Sequence, residues 1–230
     1  MEKKKMVVLT GAGMSAESGI STFRDSGGLW EKYRIEDVAS PEAFAKNPKL
    51  VLDFYNLRRK QLDEVQPNVG HLFLSRLQEF FDMFIITQNV DNLHERAGSK
   101  NILHLHGELT KVRSSKYPQL IYDIGTKAIQ LGDVCEKGTQ LRPHIVWFGE
   151  SVPAIEAAVE LTAQADIFVI IGTSLNVYPA ASLVMYAPAG SRKFLIDPNP
   201  VEIPYGLKFT VIKKSAGEGT KELEKLLLSI

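Results

Sequence analysis

The sequence predicts an α/β fold, in which a Rossmann-like, doubly wound parallel sheet carries a smaller inserted lobe. Six apolar runs of strand length alternate with segments of helical periodicity along the 230-residue chain. The runs are continuously apolar, which is typical of parallel strands that are covered on both faces. Two longer segments interrupt this alternation, and we expect them to form the smaller lobe.

The predicted strands and helices take turns along the chain. The apolar runs occupy 6–10, 83–87, 101–106, 166–172, 193–197 and 208–212. The helical patterns lie near 15–19, 67–80, 91–97, 153–164, 179–187 and 217–229. We therefore expect one domain over 1–230, with a large lobe made of 1–25, 71–107 and 143–230 and a small lobe made of 26–70 and 108–142.

A further helix is predicted within the small lobe, over residues 47–63. Asn47 suits its N-cap and Pro48 its first turn. At about 100° per residue, an apolar stripe is formed by Leu50, Phe54 and Leu57. Arg59 falls on the polar face, whereas Arg58 falls inside the apolar arc. A guanidinium there needs an anion or must extend to solvent, and the pattern alone favours extension.

Composition excludes several classes of protein. Lys and Arg number 27 and Asp and Glu number 27, so no net charge attracts the chain to nucleic acid or to an anionic membrane. No apolar run is long enough to span a bilayer, and the first apolar run is too short for a signal peptide. Cys135 is the one cysteine, which excludes an intramolecular disulfide and fits a reducing cytoplasm.

The stretch "LTGAGMSAESGI" follows the first predicted strand and opens a helix. Gly11 and Gly13 allow a tight turn and a close approach of the backbone to a pyrophosphate at the helix N-terminus. Ala16 replaces the third glycine of the usual pattern. Glycine-rich turns also occur without a nucleotide, and no acidic residue stands at a strand end about twenty residues later. An ordinary dehydrogenase site is therefore not indicated.

Two more polar clusters follow predicted strands at the same edge of the sheet. They are Gln88, Asn89 and Asp91 after one strand, and Gly172, Thr173 and Ser174 after another. Asn89 or Asp91 alone would be explained equally well as a cap of the next helix. Three polar clusters at the carboxyl edge of one sheet together indicate a crevice for a dinucleotide.

The stretch "ILHLHGELT" places His104 and His106 two residues apart, on one side of a strand. A metal pair with Asp91 or His94 as a further ligand is one interpretation, although a structural histidine is the commoner outcome. His106 ends the strand before Gly107 and is the better candidate for a general base, since an imidazole pKa near ~6.5 suits proton transfer at neutral pH.

Several motifs together resemble the sirtuins, a family of NAD-dependent protein lysine deacylases. The motifs are "GAGMSAESGISTFRD", "TQNVDNLHERAG", "HGEL", "RPHIVWFGE" and "GTSLNVYPAA". The resemblance runs from Val7 to about Ala216 and holds in order and spacing. It implies that acyl-lysine and NAD, which is consumed as a co-substrate, meet between the two lobes.

The resemblance also implies which residues act. The implied catalytic residues are His106, Asn89 and Asp91. The implied NAD-binding residues are Gly11, Ala12, Gly13, Ala16, Thr22, Phe23, Arg24, Gln88, Asn89, Asp91, Gly172, Thr173, Ser174, Asp197, Asn199 and Ala216. Asp197 and Asn199 replace the usual Asn-x-Glu pattern. The implied substrate-binding residues are Tyr55, Arg58, Val146, Trp147, Phe148, Gly149, Glu150, Val177 and Tyr178, with the peptide added as a strand between "VWFGE" and "LNVYP".

The implied reaction gives nicotinamide, free lysine and O-acyl-ADP-ribose. His106 would draw a proton from a ribose hydroxyl so that this hydroxyl attacks the activated acyl group. Mono-ADP-ribosyl transfer is an alternative within the same chemistry, and a metal-dependent hydrolase that uses His104 and His106 is another. Acyl-lysine proteins are the expected partners of a cytoplasmic monomer, with no nucleic acid or membrane partner.

Two departures from the common sirtuin pattern narrow the expectation. Most members carry a zinc ribbon of two Cys-x-x-Cys pairs, but Ser114 stands where the first ligand would be and Cys135 is alone, so no zinc is expected. Apolar contacts would replace the metal, and the candidates are Tyr117, Leu120, Ile121, Tyr122 and Ile124. Tyr55 and Arg58 match a Tyr-x-x-Arg pair that binds the carboxylate of acidic acyl groups in desuccinylase-like members. The resemblance therefore implies that Arg58 binds such a carboxylate and does not extend to solvent.

Overall fold

A computed structural model describes residues 3–20 and 33–228, and its centre is a six-stranded parallel sheet. The strands occur in the order β3-β2-β1-β7-β8-β9. Their bounds are β1 (Lys5–Thr10), β2 (Asp82–Thr87), β3 (Ile102–His104), β7 (Ile167–Ile171), β8 (Arg192–Ile196) and β9 (Thr210–Ile212). The predicted doubly wound sheet and its six strands are confirmed, with ends that shift by a few residues.

Helices cover both faces of this sheet. Their bounds are α1 (Ala12–Ala16), α2 (Ile35–Val38), α3 (Pro41–Lys46), α4 (Pro48–Glu64), α5 (Val69–Leu77), α6 (Leu93–Arg96), α7 (Ile155–Thr162) and α8 (Ala216–Leu228). The predicted helix near 179–187 is instead a 3₁₀ helix over Ala180–Met185. Ser182 N–H bonds to Pro179 O at 3.0 Å, the spacing of the tighter helix.

Strand β7 explains why the apolar runs are continuous. Ile167 and Val169 point into a cluster with Phe73 of α5, whereas Phe168 and Ile170 belong to a second cluster on the opposite face. Every residue of β7 is buried. Both faces of the strand therefore need apolar side chains, as expected for a covered parallel sheet.

A second, antiparallel sheet lies beside the first, in the order β5-β4-β6. Its strands are β4 (Gly107–Ser114), β5 (Ile121–Asp123) and β6 (Leu141–Ile145). Strand β6 ends at Ile145, so it includes only the first residues of the motif "RPHIVWFGE". A small cluster of Leu52, Val112 and Ile129 packs under this sheet, joined by Tyr122 and Ile124 as expected. Ile121 is exposed, so its expected role in this cluster is wrong.

Helix α4 begins as predicted, with Asn47 Oδ1 accepting from Leu50 N at 3.1 Å. The assignment of its faces was wrong at two positions. Leu57 is 46% exposed and Arg59 is 0% exposed. Arg59 Nε donates to Leu109 O at 2.7 Å and its Nη1 donates to Asn56 Oδ1 at 2.7 Å. The helix packs against the antiparallel sheet on that side, and a backbone carbonyl of β4 takes the place of solvent.

Among residues 3–20 and 33–228, no helix is both long and apolar enough to cross a membrane.

Candidate functional site

The glycine-rich turn packs directly against the turn that follows β7. Gly11 N donates to Ile171 O at 3.0 Å, and Gly13 N donates to Gly172 O at 2.9 Å. A Cβ atom on Gly13 would lie 2.7 Å from Gly172 Cα, which no real contact allows. Two of the three predicted clusters therefore meet, and glycine is required because one backbone lies on another.

The third cluster joins the same place through its amide side chains. Asn89 Nδ2 donates to Gly11 O and to Ser15 Oγ, each at 3.0 Å. Gln88 Nε2 donates to Thr173 Oγ1 at 3.1 Å. All three polar clusters thus converge at the carboxyl edge of the parallel sheet, where open α/β sheets bind their ligands.

Asp91 is a buried carboxylate with two separate contacts. Its Oδ1 accepts from Leu93 N at 3.1 Å, which caps the turn that opens α6, and its Oδ2 accepts from Ser15 Oγ at 2.9 Å. Burial raises the pKa of Asp91, and these two hydrogen bonds counteract part of that rise. Capping of the next helix therefore explains only one of the two contacts of the Asp91 carboxylate. Ser15, one turn after Gly11, is a site residue that the sequence reasoning missed.

The contacts of His106 fix the tautomer of its ring. Its Nδ1 lies 3.1 Å from Gln88 O, and because a carbonyl only accepts, Nδ1 carries the proton. Burial lowers the pKa of His106, against a smaller opposing effect of that hydrogen bond. The ring is therefore neutral at pH 7, with Nε2 as the basic nitrogen.

His104 lies beside this base but does not pair with it on a metal. Its Nδ1 donates to Asn89 O at 3.0 Å, and its Nε2 lies 2.7 Å from Glu95 Oε1. Within the part of the chain that the structure describes, no group of three or more His, Cys, Asp or Glu side chains is arranged to hold a metal ion. The two histidines bind successive carbonyls of the loop after β2, which leaves the metal-dependent alternative without support.

Tyr55 and Arg58 lie on α4, facing the loop that follows β6. Trp147 Nε1 donates to Tyr55 Oη at 3.0 Å, so the tyrosine keeps its own proton for another acceptor. The Arg58 guanidinium lies 5.8 Å from the Tyr55 ring centroid and 5.9 Å from that of Phe54. Burial lowers the pKa of Arg58, and Tyr55 and Asp91 oppose that shift.

Residues 146–150 form a turn that is held by its own last residue. Glu150 Oε2 accepts from Trp147 N at 2.8 Å, and Glu150 Oε1 accepts from Arg142 Nη1 at 2.7 Å. The Arg142 guanidinium also stacks 3.3 Å from the Trp147 ring centroid. Phe148 is exposed at the tip of the turn. Of the implied substrate residues there, Phe148 and Gly149 are exposed and can meet a peptide, whereas buried Trp147 and half-buried Glu150 hold the turn.

The remaining implied residues are more widely spread. Asp197 follows β8 at the same sheet edge, and its Oδ1 accepts from Asn199 N at 2.9 Å. Ala216 is buried at the start of α8. The other implied residues are half-buried Ala12, Ala16, Val146 and Ser174 and exposed Gly149, Val177 and Tyr178. Thr22, Phe23 and Arg24 lie outside the described residues.

Ser114, which stands where the resemblance would place a first zinc ligand, belongs to a cluster of two hydroxyls and one thiol. Ser114 Oγ lies 2.6 Å from Thr139 Oγ1, which lies 3.1 Å from Cys135 Sγ. Tyr117 N donates to Ser114 Oγ at 3.0 Å, and Cys135 N donates to Thr139 O at 2.9 Å. Hydrogen bonds thus tie together the two segments that a metal would otherwise join.

The fold and the convergence of these clusters define a Rossmann-like α/β protein with a polar crevice at the carboxyl edge of its sheet. Residues 11–179 match the model of the Sir2 family. A protein from Bacteroides thetaiotaomicron named NAD-dependent protein deacylase is 59% identical over 230 residues, 98% of each chain. A protein of the same name from Helicobacter pylori is 51% identical over 227 residues, 99% of each chain. The chain belongs to the Sir2 family.

Solved structures agree with this assignment. A Sir2 homologue in complex with NAD is 39% identical and superposes with a TM-score of 0.88, over 99% of this chain and 91% of that one. A Sir2 protein with a deacetylated peptide and an acetyl ADP-ribose is 28% identical, with a TM-score of 0.80 over 98% of this chain and 94% of that one.

Proposed function

We propose that this chain is an NAD-dependent protein deacylase that removes acyl groups from lysine side chains. The observation that carries the proposal is His106, whose Nε2 is left basic by the Gln88 carbonyl at the edge where three polar clusters meet. Full-length similarity to proteins named NAD-dependent protein deacylase supports it.

The crevice fits a dinucleotide by its construction. The glycine-rich turn, whose Gly11 and Gly13 N–H groups bond to Ile171 O and Gly172 O, holds the N-terminus of α1 at the carboxyl edge of the sheet, where a pyrophosphate is favoured. Gln88, Asn89 and Asp91 lie on the nicotinamide side, and Gly172, Thr173 and Ser174 on the phosphate side. We include Gly11, Ala12, Gly13, Ala16, Asp197, Asn199 and Ala216 in the same site, with Thr22, Phe23 and Arg24. When bound, NAD supplies a ribose carbon that becomes electrophilic as nicotinamide departs.

His106 does the acid–base work of this reaction. Its neutral ring removes a proton from a ribose hydroxyl through Nε2, while the Nδ1–H contact to Gln88 O keeps the ring from turning. Asn89 and Asp91 line the part of the site that would take the nicotinamide. Asn89 is fixed there by its bond to Gly11 O, and Asp91 by its bond from Ser15 Oγ. Phe148, Val177 and Tyr178 are exposed and would contact the peptide.

The acyl preference follows from α4. Arg58 and Tyr55 are three residues apart on one helix, so both can reach one ligand. A succinyl or malonyl group ends in a carboxylate, which Arg58 can bind with a charge-assisted pair while the free Tyr55 proton supplies another hydrogen bond. A small neutral acetyl group enters the same space without these contacts. Both deacetylation and removal of acidic acyl groups are therefore proposed.

The proposal extends to the partners, location and lobes of the enzyme. A balanced charge of 27 basic and 27 acidic residues gives no attraction to nucleic acid, so no nucleic acid partner is proposed. The single cysteine fits a reducing cytoplasm, and we propose a monomer there. The large lobe comprises 1–25, 71–107 and 143–230, and the small lobe comprises 26–70 and 108–142. The antiparallel sheet lies in the small lobe except for Gly107 of β4 and residues 143–145 of the edge strand β6.

Mass spectrometry of acyl-lysine peptides tests the proposed function. Acetyl-, succinyl- and malonyl-lysine peptides of one sequence are incubated with the protein, with and without NAD. We expect NAD-dependent loss of each acyl group and release of one nicotinamide per lysine freed. Acyl loss without NAD would contradict the proposal, and an ADP-ribose adduct on the peptide in place of acyl loss would indicate a transferase.

A further inference from the structure

The loop after β2 is held by a continuous set of hydrogen bonds from one short segment. Four successive carbonyls, of residues 87 to 90, each accept a hydrogen bond from the segment 104–109. The pairs are Leu105 N to Thr87 O at 2.9 Å, His106 Nδ1 to Gln88 O at 3.1 Å, His104 Nδ1 to Asn89 O at 3.0 Å and Leu109 N to Val90 O at 2.7 Å. The segment 104–109 therefore fixes the backbone conformation of residues 87–90.

The bond from His104 differs from the other three. Two of the others come from backbone N–H groups, and one comes from the base itself. His104 is a separate side chain, 7% exposed, and its far nitrogen lies 2.7 Å from Glu95 Oε1 on α6. The carbonyl of Asn89 is thus connected through one imidazole to a carboxylate on a different element.

Asn89 is held at its backbone N–H, its backbone carbonyl and its side-chain amide nitrogen. Its N–H donates to Thr87 Oγ1 at 3.0 Å, and its side-chain Nδ2 donates to Gly11 O and Ser15 Oγ. His104 supplies the contact to its carbonyl. Loss of that contact would let the peptide after Asn89 rotate and carry its amide side chain away from the glycine-rich turn.

We propose that His104 and Glu95 form a positioning pair for Asn89, separate from the base His106. The pair rests on the proposed function, since Asn89 is placed there beside the nicotinamide. The ring carries a proton on Nδ1 towards Asn89 and presents Nε2 to the Glu95 carboxylate.

The charges around His104 support a doubly protonated ring. Burial lowers the pKa of His104, but the hydrogen bond and charge of Glu95 outweigh this, and the net pKa is raised. Glu108 adds to the rise, while Lys111 pairs with Glu108 and faces Glu95. Asp91 and His94 also interact with the ring. An imidazolium donates at both nitrogens, which suits a bridge between a carbonyl and a carboxylate.

Two substitutions of His104 separate the two ends of this bridge. His104→Asn places an amide donor where Nδ1 lies and keeps the contact to Asn89 O. His104→Gln places its amide where Nε2 lies and keeps only the contact to Glu95. We expect His104→Gln to lower the rate of nicotinamide release ~10–100-fold, the loss that a small misplacement of a reacting group causes. We expect His104→Asn to stay within about threefold of the unchanged protein, since the donor to Asn89 is retained.

The KM for the acyl-peptide supplies a second readout. It is expected to change less than about twofold in both variants, because the peptide does not contact His104 in this scheme. Glu108→Gln is the matched control, since Glu108 faces His104 without a hydrogen bond to it, and it should leave nicotinamide release unchanged. Thermal unfolding of each variant shows whether it is folded.

The outcomes distinguish this inference from the proposed function. Equal losses in His104→Asn and His104→Gln, or full nicotinamide release by both, would overturn the positioning pair while the unchanged protein remains active. An unchanged protein that releases no nicotinamide with any acyl-peptide would instead overturn the proposed function.

Discussion

At the scale of single residues, the site depends on which nitrogen of one ring carries a proton. The Gln88 carbonyl places that proton on Nδ1 of His106, and burial keeps the ring neutral at pH 7. A neutral ring with an unprotonated Nε2 is the form that a general base requires. The side chain of the same residue, Gln88, donates to Thr173 Oγ1, so one residue connects His106 to the turn after β7.

Replacement of His106 by Ala should reduce NAD-dependent deacylation ~10²–10⁴-fold, the usual cost of removing a general base. Binding of NAD should persist, since the glycine-rich turn does not contact the ring. Steady-state turnover of an acetyl-lysine peptide and calorimetric titration with NAD measure the two effects. Near-full turnover by this variant would show that another group removes the proton.

Arg58→Met should lower the turnover of succinyl-lysine peptides sharply and leave deacetylation within a few-fold. A charged hydrogen bond contributes ~1.5–3 kcal/mol, or roughly ten- to a hundred-fold in selectivity. The ratio of kcat/KM values for succinyl and acetyl peptides of one sequence measures this effect.

Lys60→Met is the matched control for Arg58→Met, because Lys60 is an exposed cation on the same helix. It should leave the ratio of the two activities unchanged. If Arg58→Met lowered both activities equally, or if the unchanged protein did not turn over succinyl-lysine at all, the acidic-acyl preference would be wrong.

At the scale of elements, the sequence predicts those features that depend on local residue patterns. The strands of the parallel sheet are continuous apolar runs, and the end of β2 carries its polar cluster at the predicted residues. Arg59 could not be placed in this way, because its partner is the carbonyl of Leu109, fifty residues later. Ser15 was missed for the same reason, since its partners Asn89 and Asp91 lie on another strand end.

Gly107→Ala should be far more destabilising than Gly206→Ala. Both glycines have positive φ, +83° and +86°, so both substitutions carry the ~1–2 kcal/mol cost of that conformation. A Cβ at Gly107 would in addition overlap His144 O, whereas Gly206 has open space around it. Denaturant unfolding of the two variants measures the difference, and equal free energies of unfolding would contradict the steric argument.

At the scale of the whole molecule, two buried histidines make stability depend on pH. The rings of His71 and His94 lie 4.8 Å apart, and both are fully buried. Burial lowers the pKa of His71 to about 4 and that of His94 well below its ordinary value. The unfolded chain therefore binds protons at a higher pH than the folded chain.

The contribution of neutral His71 to the free energy of unfolding should accordingly be complete above pH ~6.5. It should be lost as the pH falls from there towards about 4. The His71 contribution is on the order of 3 kcal/mol. His71→Asn keeps an acceptor for Asn68 N but does not titrate, so its free energy of unfolding should change less between pH 7.5 and 5. Denaturant titrations at both pH values test this, and parallel losses in the two proteins would exclude His71 as the cause.

Chelation should not unfold the protein. Ser114, Thr139 and Cys135 are connected by hydrogen bonds, and the cluster of Leu52, Val112 and Ile129 supports the adjacent sheet. We expect elemental analysis to find no stoichiometric zinc and thermal unfolding to be unchanged by a strong chelator. Stoichiometric zinc whose removal lowers the melting temperature would contradict this expectation.

Two residues, Leu105 and His106, connect the end of β3 in one sheet to the start of β4 in the other. Leu105 N donates to Thr87 O, and Val146 N donates to His106 O at 2.9 Å, so both sides of this link are closed by ladder-type bonds. Amide hydrogen exchange should therefore treat the link as part of one cooperative unit, with Leu105, Leu109 and Val146 exchanging as slowly as the central strands. The base would then lie in the part of the molecule that opens last, and substrate entry must come from motion of the surrounding loops.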